Sequence, residues 1–213
     1  MFNDRHEAGR RLAGRLKDYR AERPIVLGLP RGGVVVAAEV AAALGAPLDA
    51  LPVRKLGVPG AEEFAIGAMA PDIVLLNTPL IVELGVPRAA LAEVVGRERM
   101  ELERRERIYR WNRPAEEVKG RTVILVDDGL ATGATAQAAI QSLRRRGPAK
   151  IVFAAPVCSP DGAAAVTRMA DEVVCLESPA GFRSVGESYR DFAPASDAEV
   201  IACLRAATTS VPA

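Results

Sequence analysis

The stretch that most constrains this 213-residue chain is Val123-Ile124-Leu125-Val126-Asp127-Asp128, running on into Gly129-Leu130-Ala131-Thr132-Gly133-Ala134-Thr135. Consecutive apolar residues without polar alternation suit a strand buried on both faces, the kind found in parallel sheets. Two carboxylates then fall at the strand's carboxyl end, where open parallel sheets collect their ligands. An acid pair there can accept hydrogen bonds from two sugar hydroxyls or share a divalent cation. The chain must next turn into a helical pattern that runs to Arg146 and closes at Gly147. Thr132, Gly133, Ala134 and Thr135 stand at that helix start, where free N–H groups and a partial positive charge suit a phosphate. The two hydroxyls add donors, and Gly133 permits close backbone approach. Diol acceptors followed by a phosphate cradle match a 5-phosphorylated ribose. The plainer alternatives are a capped helix after a strand, or the acid pair of a receiver-like or metal-dependent domain.

Short apolar runs alternate with helical patterns elsewhere. Residues 4–17 repeat Ala8, Leu12 and Leu16 at helical spacing, with Asn3 or Asp4 as cap. Ile25–Leu29 and Leu48–Val53 read as strands on either side of a helix over Val34–Leu44, closed by Gly45. Ile151–Ala155 and Val173–Leu176 read as further strands, Gly162–Ala170 and Asp197–Ala206 as helices, and Thr208–Ala213 as a frayed tail. This order predicts an α/β fold with a doubly wound, mostly parallel sheet flanked by helices, in one domain over 1–213. Arg54–Pro79 differs: Gly57, Pro59, Gly60 and Gly67 punctuate it, which reads as a long loop with a small hairpin. An excursion of that length in a compact domain is more often functional than idle.

Several function classes are disfavoured. Lys+Arg number 28 against 27 Asp+Glu, so there is no electrostatic case for a nucleic-acid partner. Arg88–Arg110 is arginine-rich, but Glu101/Arg105, Glu103/Arg107 and Glu106/Arg110 interleave the signs and predict a solvated helix. Cys158, Cys175 and Cys203 form neither a C-x-x-C pair nor a disulfide framework, and Cys175 reads as a buried thiol. No run approaches the ~18 apolar residues of a membrane span, and the polar N-terminus lacks a signal segment. Both suit a reducing cytoplasm. His6, the single histidine, falls in the first helix pattern and reads as a surface residue. Hydrolase triads and P-loop chemistry find no matching residues.

Residues 123–135 closely resemble the 5-phosphoribosyl-1-pyrophosphate (PRPP) signature of type I phosphoribosyltransferases: an apolar strand, two acids, and a turn ending Thr-Gly-x-Thr. The resemblance implies that family's fold, with a small hood at about 177–195 and a flexible lid at about 55–80, matched by position and not by residues. It implies that Asp127 and Asp128 bind the ribose hydroxyls and that Ala131, Thr132, Gly133, Ala134 and Thr135 bind the 5-phosphate. Mg2+ would accompany PRPP, touching Asp127 and Asp128 mostly through water or PRPP itself. Leu29-Pro30-Arg31-Gly32-Gly33 is similar to the family's pyrophosphate loop, which gives Arg31, Gly32 and Gly33 that role. Arg54 and Lys55 stand where family members often place basic residues toward pyrophosphate. Gly181–Phe192 is loosely similar to the C-terminal segment of purine members, with Phe182 stacking on a base and Val185 contacting it.

One residue departs from part of the family. Ala131 stands where hypoxanthine-guanine members have an aspartate that accepts a proton, while adenine and orotate members also have alanine. No catalytic acid or base is therefore assigned, and 6-oxopurine acceptors lose support. The implied function is transfer of the 5-phosphoribosyl group from PRPP to a small-molecule nitrogen acceptor, most simply a nucleobase, with release of pyrophosphate. The alternatives are a non-catalytic PRPP- or nucleotide-binding regulator of the same fold, and a different PRPP-using or phosphosugar enzyme. Family members are commonly dimers, so a homodimer is the assembly the resemblance implies.

Overall fold

The computed structural model describes residues 1–111 and 113–210, except the side chains of Glu63, Thr209 and Ser210. The chain opens with α1 (Arg5–Leu16), a 3-10 turn (Lys17–Glu22), β1 (Ile25–Gly28), α2 (Gly32–Leu44) and β2 (Leu48–Ala50). The excursion follows as β3 (Arg54–Val58), β4 (Ala61–Ala70), β5 (Ile73–Leu76), α3 (Thr78–Glu83) and α4 (Arg88–Arg110). The remainder is β6 (Thr122–Val126), α5 (Ala134–Arg145), β7 (Lys150–Val157), α6 (Pro160–Thr167), β8 (Glu172–Glu177) and α7 (Asp197–Ser210). Asp4 caps α1, its side chain accepting from the Glu7 N–H at 2.7 Å. Gly45 closes α2 at φ 63°, a left-handed conformation that costs glycine little.

Five strands form a parallel sheet in the order β2-β1-β6-β7-β8. The central runs are apolar throughout because both faces are covered. Val26, Ile124, Val126, Val152 and Ala154 enter one core with α1, α2 and α7. Ile25, Leu27, Val123, Leu125, Ile151 and Phe153 enter the other with α5 and α6. This alternation is the pleat repeated in register across three strands. The expected α/β fold with a mostly parallel, doubly covered sheet is present. From β1 the chain moves outward to β2, whereas β6, β7 and β8 step the other way. The carboxyl ends of β1 and β6 therefore flank a topological switch point, the usual ligand position in such sheets.

The excursion differs from expectation. It is a three-stranded antiparallel sheet, β3-β4-β5, where the sequence suggested a long loop and a small hairpin. Two of its three glycines, Gly57 and Gly67, lie within strands, while Gly60 makes the expected turn between β3 and β4 at φ 81°. A Cβ at Gly57 would sit 2.6 Å from Glu62 Cα, at a shift in the β3–β4 register, so Gly57 permits a bulge and does not mark a turn. Ala68 and Ala70 of β4 join the α5 face of the main core. The short helix α3 was not anticipated; Asn77 caps it, accepting from the Leu80 N–H.

Three further expectations are corrected. β2 ends at Ala50 and does not continue to Val53. α4 is not simply solvated: it buries Val94, Glu98, Leu102 and Tyr109, and Arg110 donates to the buried Asp49 at 3.1 Å. α7 extends past Ala206, with the Thr208 hydroxyl donating to the Leu204 carbonyl at 2.9 Å. Of the expected tail, residues 211–213 lie outside the described residues. Cys175 is half-buried, while Cys158 is buried. Among the described residues no helix is long and apolar enough to cross a membrane.

Candidate functional site

At the switch point the exits of β1 and β6 are tied together: Leu29 N–H donates to the Val126 carbonyl at 2.9 Å. Asp127 and Asp128 follow at once, and the Asp128 N–H donates to Asp127 Oδ1 at 2.9 Å. The start of α2 presses directly on them. A Cβ at Gly33 would lie 2.9 Å from Asp127 Cα, and one at Gly32 would lie 2.7 Å from Asp128 Cγ. The glycine pair is thus required by close approach to the acids. The Pro30–Arg31 peptide within this loop is cis.

Beyond the acids, residues 129–133 cross to α5. Leu130 bridges to Cys158 at the end of β7. Ser159 pins the loop from the side: its hydroxyl donates to the Ala131 carbonyl while accepting from the Gly162 N–H at 2.9 Å. Gly133 turns the chain into α5 at φ 80° and brings no side-chain cap. The first N–H groups of α5 are then left to bond an outside acceptor, an anion by preference.

Leu29, Pro30, Arg31, Gly32, Asp127, Asp128 and Thr135 line one cleft of about 440 Å³. Three sequence-expected groups therefore meet: the acid pair, the glycine loop and the helix start. Burial, and then the neighbouring Asp128 carboxylate, hold the Asp127 carboxyl well above the usual carboxylate range. Burial also raises Asp128, opposed by the Arg5 guanidinium beside it. An acid pair in that condition gains from hydroxyl donors or a cation. Among the described residues no group of three or more His, Cys, Asp or Glu gathers for a metal. A divalent ion here would rest on these acids and on oxygens that a ligand brings, a mode suited to Mg2+.

The other expected residues lie apart from this cleft. Arg54 is committed to Glu98, its Nη2 2.6 Å from Oε2, and Lys55 is exposed on β3. Phe182 lines a separate cavity of about 270 Å³ with Met1 and Glu177. Val185 packs on the Cα face of Gly129, where any Cβ would strike it. His6 is exposed and pairs with Glu39 at 2.8 Å.

Two side chains given no role by the sequence, Arg5 and Phe192, also line the cleft. Arg5 donates from Nε to Asp128 Oδ2 at 2.7 Å, and its guanidinium stacks 4.0 Å above the Phe192 ring. Tyr189 lies beside Phe192 and donates its hydroxyl to the Asp128 carbonyl at 2.6 Å. No local pattern could have flagged Arg5, which is 123 residues from its partner.

Comparison with known proteins shows the family. A model of the phosphoribosyl transferase domain matches residues 3–190. "Putative phosphoribosyl transferase Rv0571c" of Mycobacterium tuberculosis is 48% identical over 205 residues, which is 96% of this chain and 46% of the relative. "Putative phosphoribosyl transferase MT0597", from another strain of that species, matches with the same figures. The chain thus spans about half the length of the curated relatives it matches. The crystal structure of TT1426 from Thermus thermophilus is similar at a TM-score of 0.79 and 44% identity, over 95% of this chain and 97% of that one. The chain belongs to the phosphoribosyl transferase domain family.

Proposed function

We propose that the chain binds PRPP in this cleft and transfers its 5-phosphoribosyl group to a nitrogen acceptor of the nucleobase class, releasing pyrophosphate. The observation that carries the reading is the meeting of acid pair, glycine loop and open helix start at one switch point. The ribose hydroxyls donate to Asp127 and Asp128. The 5-phosphate takes the amides and hydroxyls of Ala131, Thr132, Gly133, Ala134 and Thr135, where the α5 dipole favours negative charge. Arg31, Gly32 and Gly33 border the diphosphate, with Arg31 as a planar donor fork. Lys55 is an exposed second candidate, whereas Arg54 would first have to release Glu98. Mg2+ bound with PRPP would neutralise charge on the departing diphosphate, with Asp127 and Asp128 holding it mostly through water or PRPP oxygens.

As the C1–O bond breaks, C1 gains cationic character and the acceptor nitrogen attacks it. Positioning and electrostatics suffice, so no nucleophilic side chain is needed. Val185 packs against Gly129, the residue after the acids, and Phe182, in a separate cavity, would offer a stacking face for a base.

A second reading, PRPP binding without turnover, draws on the weak match at the base site, since Phe182 and Val185 do not line the cleft that holds the acids. The two are separated by measuring pyrophosphate release from PRPP and Mg2+ across a panel of nucleobases. Saturable, acceptor-dependent release supports transfer. Tight PRPP binding without release supports a regulator, and an absence of binding removes both.

A further inference from the structure

We propose that Arg5 is an exchangeable counter-ion of the cleft, neutralising Asp128 while no substrate is bound and moving onto the diphosphate of PRPP when substrate loads. This inference rests on the cleft being a PRPP site.

Arg5 is delivered by pairing of residues 2–3 with residues 188–191, just before α7. Phe2 N–H donates to the Ser188 carbonyl at 2.7 Å, Arg190 N–H to Phe2 at 2.8 Å and Asp191 N–H to Asn3 at 2.9 Å. That clamp places the first residue of α1 over the acids. The guanidinium is held three ways: Nε on Asp128, Nη1 on the Ala193 carbonyl at 2.8 Å, and the plane on Phe192. Its side chain is only 12% exposed.

Location decides which part of a substrate it would meet. A Cβ at Gly32 would come 2.5 Å from Arg5 Nε. Arg5 therefore adjoins the glycine loop, which in the proposed function borders the diphosphate. With Arg54 tied to Glu98, the cations lining this cleft among the described residues are Arg5 and Arg31. Asp128 needs a counter-charge because both acids are buried side by side. An arriving ribose hydroxyl must compete with Nε for Asp128 Oδ2. A guanidinium displaced there finds diphosphate oxygens, which it binds more strongly than a neutral acceptor. The Ala193 and Phe192 contacts can hold its far side while Nε turns.

The exchange predicts effects that separate by ligand. Ribose 5-phosphate must displace Arg5 and offers it no diphosphate, whereas PRPP does both. Calorimetric titrations of wild type, Arg5→Gln and Arg5→Lys with each ligand, in Mg2+, test this. Arg5→Gln should weaken PRPP by about 10- to 100-fold, the loss of a charge-assisted contact. The same change should leave ribose 5-phosphate affinity unchanged or tighter, and Arg5→Lys should recover part of the PRPP loss. Equal weakening of both ligands would show a merely structural arginine and overturn the proposal, as would unchanged PRPP affinity. A wild-type chain that binds neither ligand would instead overturn the PRPP reading, and the exchange with it.

Discussion

Gly32→Ala is the sharpest perturbation that the site offers. Gly32 begins α2 with an ordinary negative φ, so alanine fits its backbone, and helix propensity favours the change by up to about 1 kcal/mol. The cost is entirely local. The new methyl would occupy the space of Asp128 Oδ2, lying 2.7 Å from Asp128 Cγ and 2.5 Å from Arg5 Nε. Asp128 is short and cannot yield at its tip alone; its carboxylate must rotate away from Arg5 and from any ribose hydroxyl. A hydrogen bond to a charged group contributes about 1.5–3 kcal/mol, so PRPP affinity should fall by about 10- to 150-fold. The helix gain offsets part of the lost Arg5 contact, leaving a net loss of about 1–2 kcal/mol, so the thermal midpoint should fall by about 2–8 °C. Titration calorimetry with Mg2+ and PRPP, beside a circular dichroism melt, reads both quantities. Wild-type PRPP affinity with an unchanged melt would refute the reasoning, since the methyl would then have found room beside Asp128.

Other expectations follow from the same contacts. Asp127 is raised above its unfolded value by burial and by Asp128, so the stability present while it is protonated, below the unfolded pKa, is lost as pH rises through the folded pKa; Asp127→Asn should raise the melting midpoint at pH 7 while weakening PRPP binding. Glu101 is held down to about 2 from an ordinary 4.5, chiefly by its hydrogen bond to Arg104. Its contribution is complete above 4.5 and disappears as pH falls toward 2, so Glu101→Gln should flatten the acid limb of the stability profile in that window. Arg54→Ala leaves Glu98, 12% exposed, with Arg97 as its remaining ion-pair partner; urea unfolding should show a loss of about 1–3 kcal/mol.

Much of this architecture is legible because the signals are contiguous. The apolar runs at 25–28, 123–126 and 151–155 are buried on both faces, and a run of that kind announces a parallel strand without any partner in view. Asp127 through Thr135 likewise carries its acids and its helix start within one turn of chain. The illegible parts depend on contacts distant in sequence. Arg5 reaches the acids only because Phe2 pairs with residues 188–190. Similarity pointed to Phe182, while Phe192, ten residues on, lines the cleft beneath Arg5. Arg54 and Lys55 form an undistinguished basic pair until Glu98 takes the first of them. In the middle sheet, glycine serves strand contact at Gly57 and Gly67, which a local pattern cannot tell from a turn.

A crystal structure of the chain with Mg2+ and PRPP tests the core of this description most directly. The 5-phosphate is expected among the amides of residues 131–135, with the ribose hydroxyls on Asp127 and Asp128. Density for the sugar phosphate in another cavity, or acids that make no contact with the ribose, would contradict it.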